Sequence, residues 1–337
     1  MSRTAELQPL QQLALQLMTL KLGAVKRFGD FVMVPLCRAR PPESDYCLLS
    51  EAISQGNSSV TEVSAAGVVH EAILTNNSDQ PILVFDGEEL LGAKQNRITN
   101  FTTLAPPRTT TRISVSCIEQ DRWRWISPSL VTSGLMLYPS ARASNMRYVR
   151  SHNGILQSDP ISQVEIWDSI ESKSRQLGLT TPVKSVEDLY RPFNCKLKRL
   201  EQAMAASTLQ VGAAFFRRRQ LIGLELFRSP MTFEQQLPKL VRSYGMEIFA
   251  GSVSTADTNY HPSAFSTYRN DYDISDMDFF LEEVPRFFSS LVKSSSEKSS
   301  SCGVGYHLRT KTNHSVATAL FLDDSLIHLS ALSLPMH

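Results

Sequence analysis

The chain repeats itself once, and that repeat restricts the fold more than any other feature. VGAAFFRRRQLIGLELF begins at Val211 and VATALFLDDSLIHLSAL begins at Val316, 105 residues later, and the two align without a gap. Each reads as an apolar strand, a charged turn (Arg218-Arg219 in one copy, Asp323-Asp324 in the other) and a second apolar strand. Two such units are too short and too far apart for a solenoid. They predict two equivalent β-hairpins, at about 211–227 and 316–332, that can pair in a sheet covered by intervening helices.

The neighbouring residues supply those helices. Asp159-Pro160 is a helix start, with Val164, Trp167 and Ile170 as its apolar stripe and Gly178 as its stop. Ser185 opens another, interrupted at Pro192, with Leu197, Leu200 and Met204 on one side. A third spans Thr232 to Phe249, where Pro238 predicts a kink, and a fourth runs from Asp278 to Val292 around Pro285. SSSEKSSS (294–301) has nothing to bury and reads as a flexible loop. The expected region over 156–337 is therefore α+β.

The first part of the chain reads differently. Residues 1–23 are expected to form an amphipathic helix: Gln11, Gln12, Gln16 and Lys21 interrupt the apolar run, so the segment does not read as a signal peptide. Residues 24–135 are expected to be a β-rich domain, a sandwich or an open barrel. FVMVPL (31–36) and SVTEVS (59–64) are strands, and DYCLLSEAISQG (45–56) is a short helix stopped by Gly56. VVHEAILT and PILVFD flank the turn NNSDQ as one hairpin, and RITNFTTL and TRISVSCI flank APPRTT as a second. A chain of 337 residues accommodates two such units.

Composition narrows the functional classes. Lys plus Arg is 34 against 33 Asp plus Glu, a formal charge of +1, so no global field exists to hold a nucleic acid. Five cysteines without CxxC spacing fit a reducing compartment and a soluble, cytoplasmic protein. No segment approaches the roughly 18 apolar residues of a membrane-spanning helix. GxSxG, P-loop, GxGxxG and HExxH motifs are missing and the histidines are dispersed, so zinc, NAD and serine-hydrolase readings lack support.

One segment stands out chemically. DGEELLGAKQNR, Asp86 to Arg97, holds three acids, two bases, two amides and two glycines in twelve positions. It can be a hairpin end with solvated charges. It can also be a functional cluster, with Asp86, Glu88 and Glu89 as carboxylates and Lys94, Gln95, Asn96 and Arg97 as cations and donors. CIEQDRWRW (117–125) closes the same region: Ile113, Val115 and Cys117 alternate onto one face, so Cys117 packs as a small apolar residue. Glu119 then sits at the edge of a core and needs a partner, with Arg122 close in sequence. Trp123 and Trp125 are expected in the core. FRRRQ (216–220) is a solvated turn, and Arg142, Arg147 and Arg150 lie in a loop compatible with anion binding.

Taken together, EVSAAGVVHEAILTNNSDQPILVFDGEELLGAKQNRITN and TRISVSCIEQDRW closely resemble the ARG-and-Rhodanese-Phosphatase-superfamily-associated protein domain family. The resemblance continues through VEIWDSI (164–170), the LQVGAAFF…GLELF hairpin and the closing HLSAL, from about residue 20 to 333. It carries Asp86, Gly87, Glu88, Glu89, Gly92, Lys94, Gln95, Asn96, Arg97 and Asn100 as one motif, and Cys117, Glu119, Gln120, Arg122 and Trp123 as a second. Asp121 departs from the pattern, which has glycine there, but Asp tolerates positive φ better than most residues. The resemblance implies no established activity. It implies association with ADP-ribosylglycohydrolase-type and rhodanese- or phosphatase-like proteins, and so with ADP-ribose or nucleotide metabolism.

Three functions follow. In a binding module, Lys94 and Arg97 meet phosphate while Gln95, Asn96, Asn100, Arg122 and Trp123 complete a pocket for a nucleotide-like or ADP-ribose-related ligand. In a hydrolase or transferase, Asp86, Glu88, Glu89 and Glu119 act as acid and base or hold Mg²⁺. In a scaffold, the same residues form a satisfied internal network. Open convergence on a pocket supports the first two, and buried mutual pairing supports the third.

Overall fold

The computed structural model describes residues 8–119, 122–152, 154–158, 160–179, 185–249 and 274–334. Asp159, Gln120 and Asp121 lie outside them. The chain opens with α1 (Pro9–Met18), which buries Leu13 and Leu17 on one face, and continues into β1 (Lys21–Leu22), β2 (Lys26–Phe28) and β3 (Phe31–Cys37). Next come β4 (Cys47–Leu48) and α2 (Leu49–Ser54), ended at Gly56 with φ +72°. The strands β5 (Ser58–Glu62), β6 (Glu71–Asn76), β7 (Ile82–Val84), β8 (Glu88–Gly92), β9 (Arg97–Thr99), β10 (Thr103–Ala105), β11 (Thr109–Cys117) and β12 (Leu130–Met136) follow.

Then α3 (Pro139–Arg147), β13 (Val149–His152), β14 (Ile155–Ser158) and α4 (Pro160–Gln176) lead to α5 (Val186–Tyr190). The Ser185 hydroxyl caps α5 by accepting from the Asp188 amide. A 3₁₀ turn at Arg191–Phe193 contains Pro192 and passes into α6 (Asn194–Ala203). The remaining elements are β15 (Gln210–Arg217), β16 (Gln220–Phe227), α7 (Pro230–Phe249), α8 (Ile274–Lys293), β17 (Ser295–Ser300), β18 (Tyr306–Lys311), β19 (Ser315–Leu322) and β20 (Ser325–Ser333).

The repeat forms the centre of the molecule. β15–β16 and β19–β20 are antiparallel hairpins, and β16 pairs with β20 in an eleven-stranded sheet. The copies match in detail: each has a register shift before its turn, at Phe215/Phe216 and at Leu320/Phe321, and each turn has a residue with positive φ, Arg218 and Asp323. Glu225 lies opposite Ser330, its own equivalent in the repeat, so the two copies meet at this pair. Adjacent residues face opposite sides of the sheet. Phe215 stacks on Tyr244 of α7 and shares a core with Phe233 and Leu240, while Phe216 meets Phe280 of α8 edge-on and shares a second core with Leu13 of α1. Burying each such side chain contributes roughly 1.5–3 kcal/mol.

The β-rich part of the N-terminal region contains a closed six-stranded barrel, in the order β11-β6-β5-β12-β8-β9, with a small β10-β7-β4 sheet beside it. The fold is thus α+β, and its barrel is closed rather than open. Five local expectations change. NNSDQ does turn the chain, with Asn76 donating to Gln80 O at 2.8 Å and Pro106 O at 2.9 Å, but β6 stays in the barrel while β7 leaves it, so no hairpin forms. The second expected hairpin survives only as β9–β11, because β10 pairs with β7. SSSEKSSS is no loop: β17 pairs with β18 along six residues through main-chain bonds, which need no apolar face. The Arg142 segment is helical, and Arg142 is buried. β3, read with the β-rich domain, pairs with β15 in the large sheet. Among the described residues no helix is long and apolar enough to cross a membrane.

Candidate functional site

DGEELLGAKQNR becomes the β8–β9 hairpin of the barrel together with the turn leading into it. Gly87 makes that turn at φ +76°, and its amide donates to Thr99 O at 2.7 Å. A Cβ there would lie 2.7 Å from Arg142 Cδ, so glycine lets a guanidinium pass against the backbone. The hairpin sends its polar side chains in different directions.

Asp86 points to the seam between barrel and sheet. Its Oδ2 accepts from Arg142 Nη2 at 2.8 Å and Nε at 3.1 Å. Arg142 Nη1 reaches Glu225 Oε1 at 2.8 Å, and Nη2 also reaches Ser330 Oγ at 2.9 Å. Tyr244 donates to Glu225 Oε1 at 2.9 Å, while His328 Nε2 lies 3.0 Å from Glu225 Oε2. His328 Nδ1 meets the Thr102 hydroxyl at 2.9 Å, closing the network back towards Asp86. Burial would lower the Arg142 pKa, but Asp86 and Glu225 outweigh it and raise it. Burial likewise pushes the Glu225 carboxyl up, and Arg142 with His328 overrides that and holds it below the usual range. The Thr102–His328–Glu225 chain has the connectivity of a nucleophile relay. All three side chains are buried, however, and Thr102 has the Asp86 amide as a further partner. Asn100 belongs to the same interior: its carbonyl oxygen accepts from Ser116 and Asn145, each at 3.0 Å.

Glu88 and Glu89 diverge. Glu88 Oε1 is 2.6 Å from Lys239 Nζ of α7. Glu89 is fully buried; its Oε1 accepts the Val186 amide of α5 at 2.7 Å, and its Oε2 has no hydrogen-bond partner. Burial raises the Glu89 pKa to about 7, further supported by Glu187 and Asp188 and only partly offset by Ser133 and the Val186 amide.

The third group closes one end of the barrel. Arg97 Nη2 lies 2.6 Å from Glu62 Oε2, and Nη1 donates to Val68 O at 3.0 Å and Val69 O at 2.7 Å. Lys94 Nζ donates to Ala66 O at 2.8 Å, and Gln95 Nε2 to Arg122 O at 2.7 Å. Glu119 Oε2 accepts from Arg122 Nε at 2.6 Å and from the Asn96 amide at 3.0 Å. Arg122 Nη2 reaches Asn96 Oδ1 at 3.1 Å. The expected Glu119–Arg122 partnership is therefore present. Cys117 is buried, and burial pushes its thiol up to about 11, as suits an apolar packing residue. Trp123 and Trp125 are not core residues: they are 44% and 47% exposed, with Lys94 Nζ 5.6 Å and 5.5 Å from their rings. At these distances the ammonium attracts both rings by cation–π interaction, and Arg97 Cζ lies 5.7 Å from the Trp123 ring as well.

The ARG and Rhodanese-Phosphatase-superfamily-associated Protein domain family matches residues 19–332. This chain belongs to that family. No curated protein and no solved structure matches it. The motif residues are thus spread over separate internal pairings and do not converge on one pocket. A cleft of about 790 Å³ lies elsewhere, between α3, α4, α7, the β15–β16 hairpin and the end of β20, and no residue of either motif lines it. Among the described residues no group of three or more His, Cys, Asp or Glu side chains is arranged to hold a metal ion, and the motif carboxylates point apart.

Sequence reasoning missed Arg142, Glu225, His328 and Tyr244, the partners of Asp86. Glu225 was detectable, since a carboxylate in the apolar strand GLELF needs a buried partner.

Proposed function

We propose that this family member is a non-catalytic accessory module, in which the conspicuous motif is an internal lock between barrel, sheet and helices. One observation carries the reading: Asp86, Glu88, Arg97, Glu119 and Arg122 each have an oppositely charged partner within the protein. A phosphate at Arg97 would have to displace Glu62 from a pair whose side chains are at most 1% exposed. Breaking such a buried pair costs several kcal/mol. That weighs against a nucleotide or ADP-ribose ligand at Lys94–Arg97, and the separation of the carboxylates weighs against a shared hydrolytic centre or Mg²⁺ site. The family description supports ADP-ribosylglycohydrolase-type or phosphatase-type proteins as the partners it serves. Five free thiols fit work in the cytoplasm.

A hydrolysis screen on ADP-ribose and nucleotide phosphoesters, with and without Mg²⁺ and from acid to alkaline pH, tests the reading. No turnover by the purified protein is expected. Turnover that disappears in Glu119→Gln or Asp86→Asn while the variant still melts cooperatively would overturn it.

A further inference from the structure

Exposed apolar side chains gather at one end of the barrel. Val68 and Val69 precede β6, Trp123, Trp125 and Ile126 follow β11, and all five are exposed. They share one place. A Cβ on Gly67 would lie 3.0 Å from Trp123 Cζ2, Arg97 sits against both the Trp123 ring and the Val68 and Val69 carbonyls, and Lys94 faces both tryptophans. Contiguous exposed apolar patches mark interaction sites, whereas scattered single residues need no explanation.

The motif holds both loops of this patch in place. Lys94 Nζ fixes the first loop at Ala66 O, and Arg97 Nη1 fixes it at Val68 O and Val69 O. Gln95 Nε2 donates to Arg122 O, and Ala93 O accepts the Ile126 amide at 3.0 Å, which fixes the second loop. Gly67, at φ +77°, lets the first loop close on the Trp123 ring. Side chains anchored this way lose little freedom when a partner arrives. Tryptophan and arginine are also the residue types that carry most of the affinity in protein interfaces.

Charge selects the occupant. Glu62, Glu71 and Glu119 flank the two loops, and each is paired with an arginine: Arg97, Arg112 and Arg122. Lys94 and the exposed Arg124 have no carboxylate partner among the described residues, so the field at the patch is positive. The ammonium beside the rings repels a second cation, which disfavours a basic partner and favours an acidic one. Single-stranded nucleic acid also stacks on aromatic rings, but it needs a basic groove that follows several phosphates. These loops offer Arg124 and otherwise apolar side chains, which suit the apolar residues of a peptide better than a phosphate backbone.

We propose that this end of the barrel docks an acidic segment of a partner protein. An aromatic or aliphatic side chain of the partner rests against Trp123 and Trp125, and its carboxylates face Arg124. The proposal adds a surface to the accessory-module reading and is tested apart from it: turnover would overturn the module and leave this surface standing.

Fluorescence anisotropy of short dye-labelled peptides titrated with the full chain tests it, one peptide alternating Glu with Phe, one Glu with Ser and one Lys with Phe. Saturable binding of the Glu/Phe peptide is expected, weakening as salt is raised, with the other two at least about tenfold weaker. Trp125→Ala and Arg124→Glu should each lower its affinity about tenfold or more at an unchanged melting temperature. Leu281→Ser, at an exposed apolar position on α8, should leave it unchanged. Absence of saturable binding, equal binding of the Lys/Phe peptide, or full affinity in both patch variants would overturn the assignment. So would tighter binding of labelled oligo-deoxythymidine, which would make the patch a nucleic-acid platform, or a dimer dissociated by Trp125→Ala, which would seat a second copy there.

Discussion

Arg142 of α3 and Asp86 of the barrel turn meet at 2.8 Å with side chains 2% and 4% exposed, and this pair ties the barrel to the repeat sheet through Glu225. Removing the guanidinium leaves two carboxylates buried without their cation. Arg142→Met should therefore cost about 3–5 kcal/mol in urea unfolding. Adding Asp86→Asn and Glu225→Gln to it should recover part of the loss, since fewer buried charges are then uncompensated. A loss below about 1 kcal/mol in the single variant would show that the network does not hold the two halves together.

Gly87 tests how closely that network is fitted to the backbone. Gly87 and Gly134 have nearly the same φ, +76° and +79°, but only Gly87 has neighbours where a Cβ would go. Alanine at either position meets the left-handed penalty of roughly 1–2 kcal/mol. Gly87→Ala must also push Arg142 aside and should be at least about 1 kcal/mol worse than Gly134→Ala. Equal losses would mean that Arg142 can move freely.

Glu89 sets a pH dependence. Its folded pKa is raised to about 7 from 4.5, so the native state holds the proton more tightly than the unfolded chain. The associated stability is complete below the unfolded value and is lost as pH rises through the folded one. The full effect is at most about 3 kcal/mol. Glu89→Gln keeps an acceptor for the Val186 amide and cannot ionise. Comparing urea midpoints at about pH 5 and about pH 8 should show the wild type falling more steeply than Glu89→Gln. Parallel curves would place the titration elsewhere.

The repeat was legible because each copy states its apolar strands and charged turn within seventeen consecutive residues. The motif was legible as a set, since so many polar groups rarely sit between apolar strands. Its partners were not. Thr102 and His328 are 226 positions apart, and Asp86 and Arg142 are 56 apart, so no local period joins them. NNSDQ announced a reversal but not which strands would pair across it, because turn chemistry acts over a few residues whereas sheet order depends on the whole core. Trp123 and Trp125 read as core by hydrophobicity alone. Their place beside Lys94, and for Trp123 also beside Arg97, is a three-dimensional arrangement that no local pattern announces.

The equivalence of the two hairpins can itself be measured. Arg218 and Asp323 occupy the same place in the repeat, with φ +53° and +49°. A β-branched side chain is poorly tolerated there, while glycine is not. Arg218→Val and Asp323→Val should each be less stable than the corresponding glycine variant, by about 1–2 kcal/mol. Referring valine to glycine at the same site also cancels the Arg218–Asp30 pair, whose nitrogen–oxygen distance is 3.0 Å and which both substitutions remove. The valine-to-glycine differences should then agree within about 0.5 kcal/mol, the usual margin for independent sites. A large difference at one turn and none at the other would show that the copies share a sequence pattern without sharing a backbone constraint.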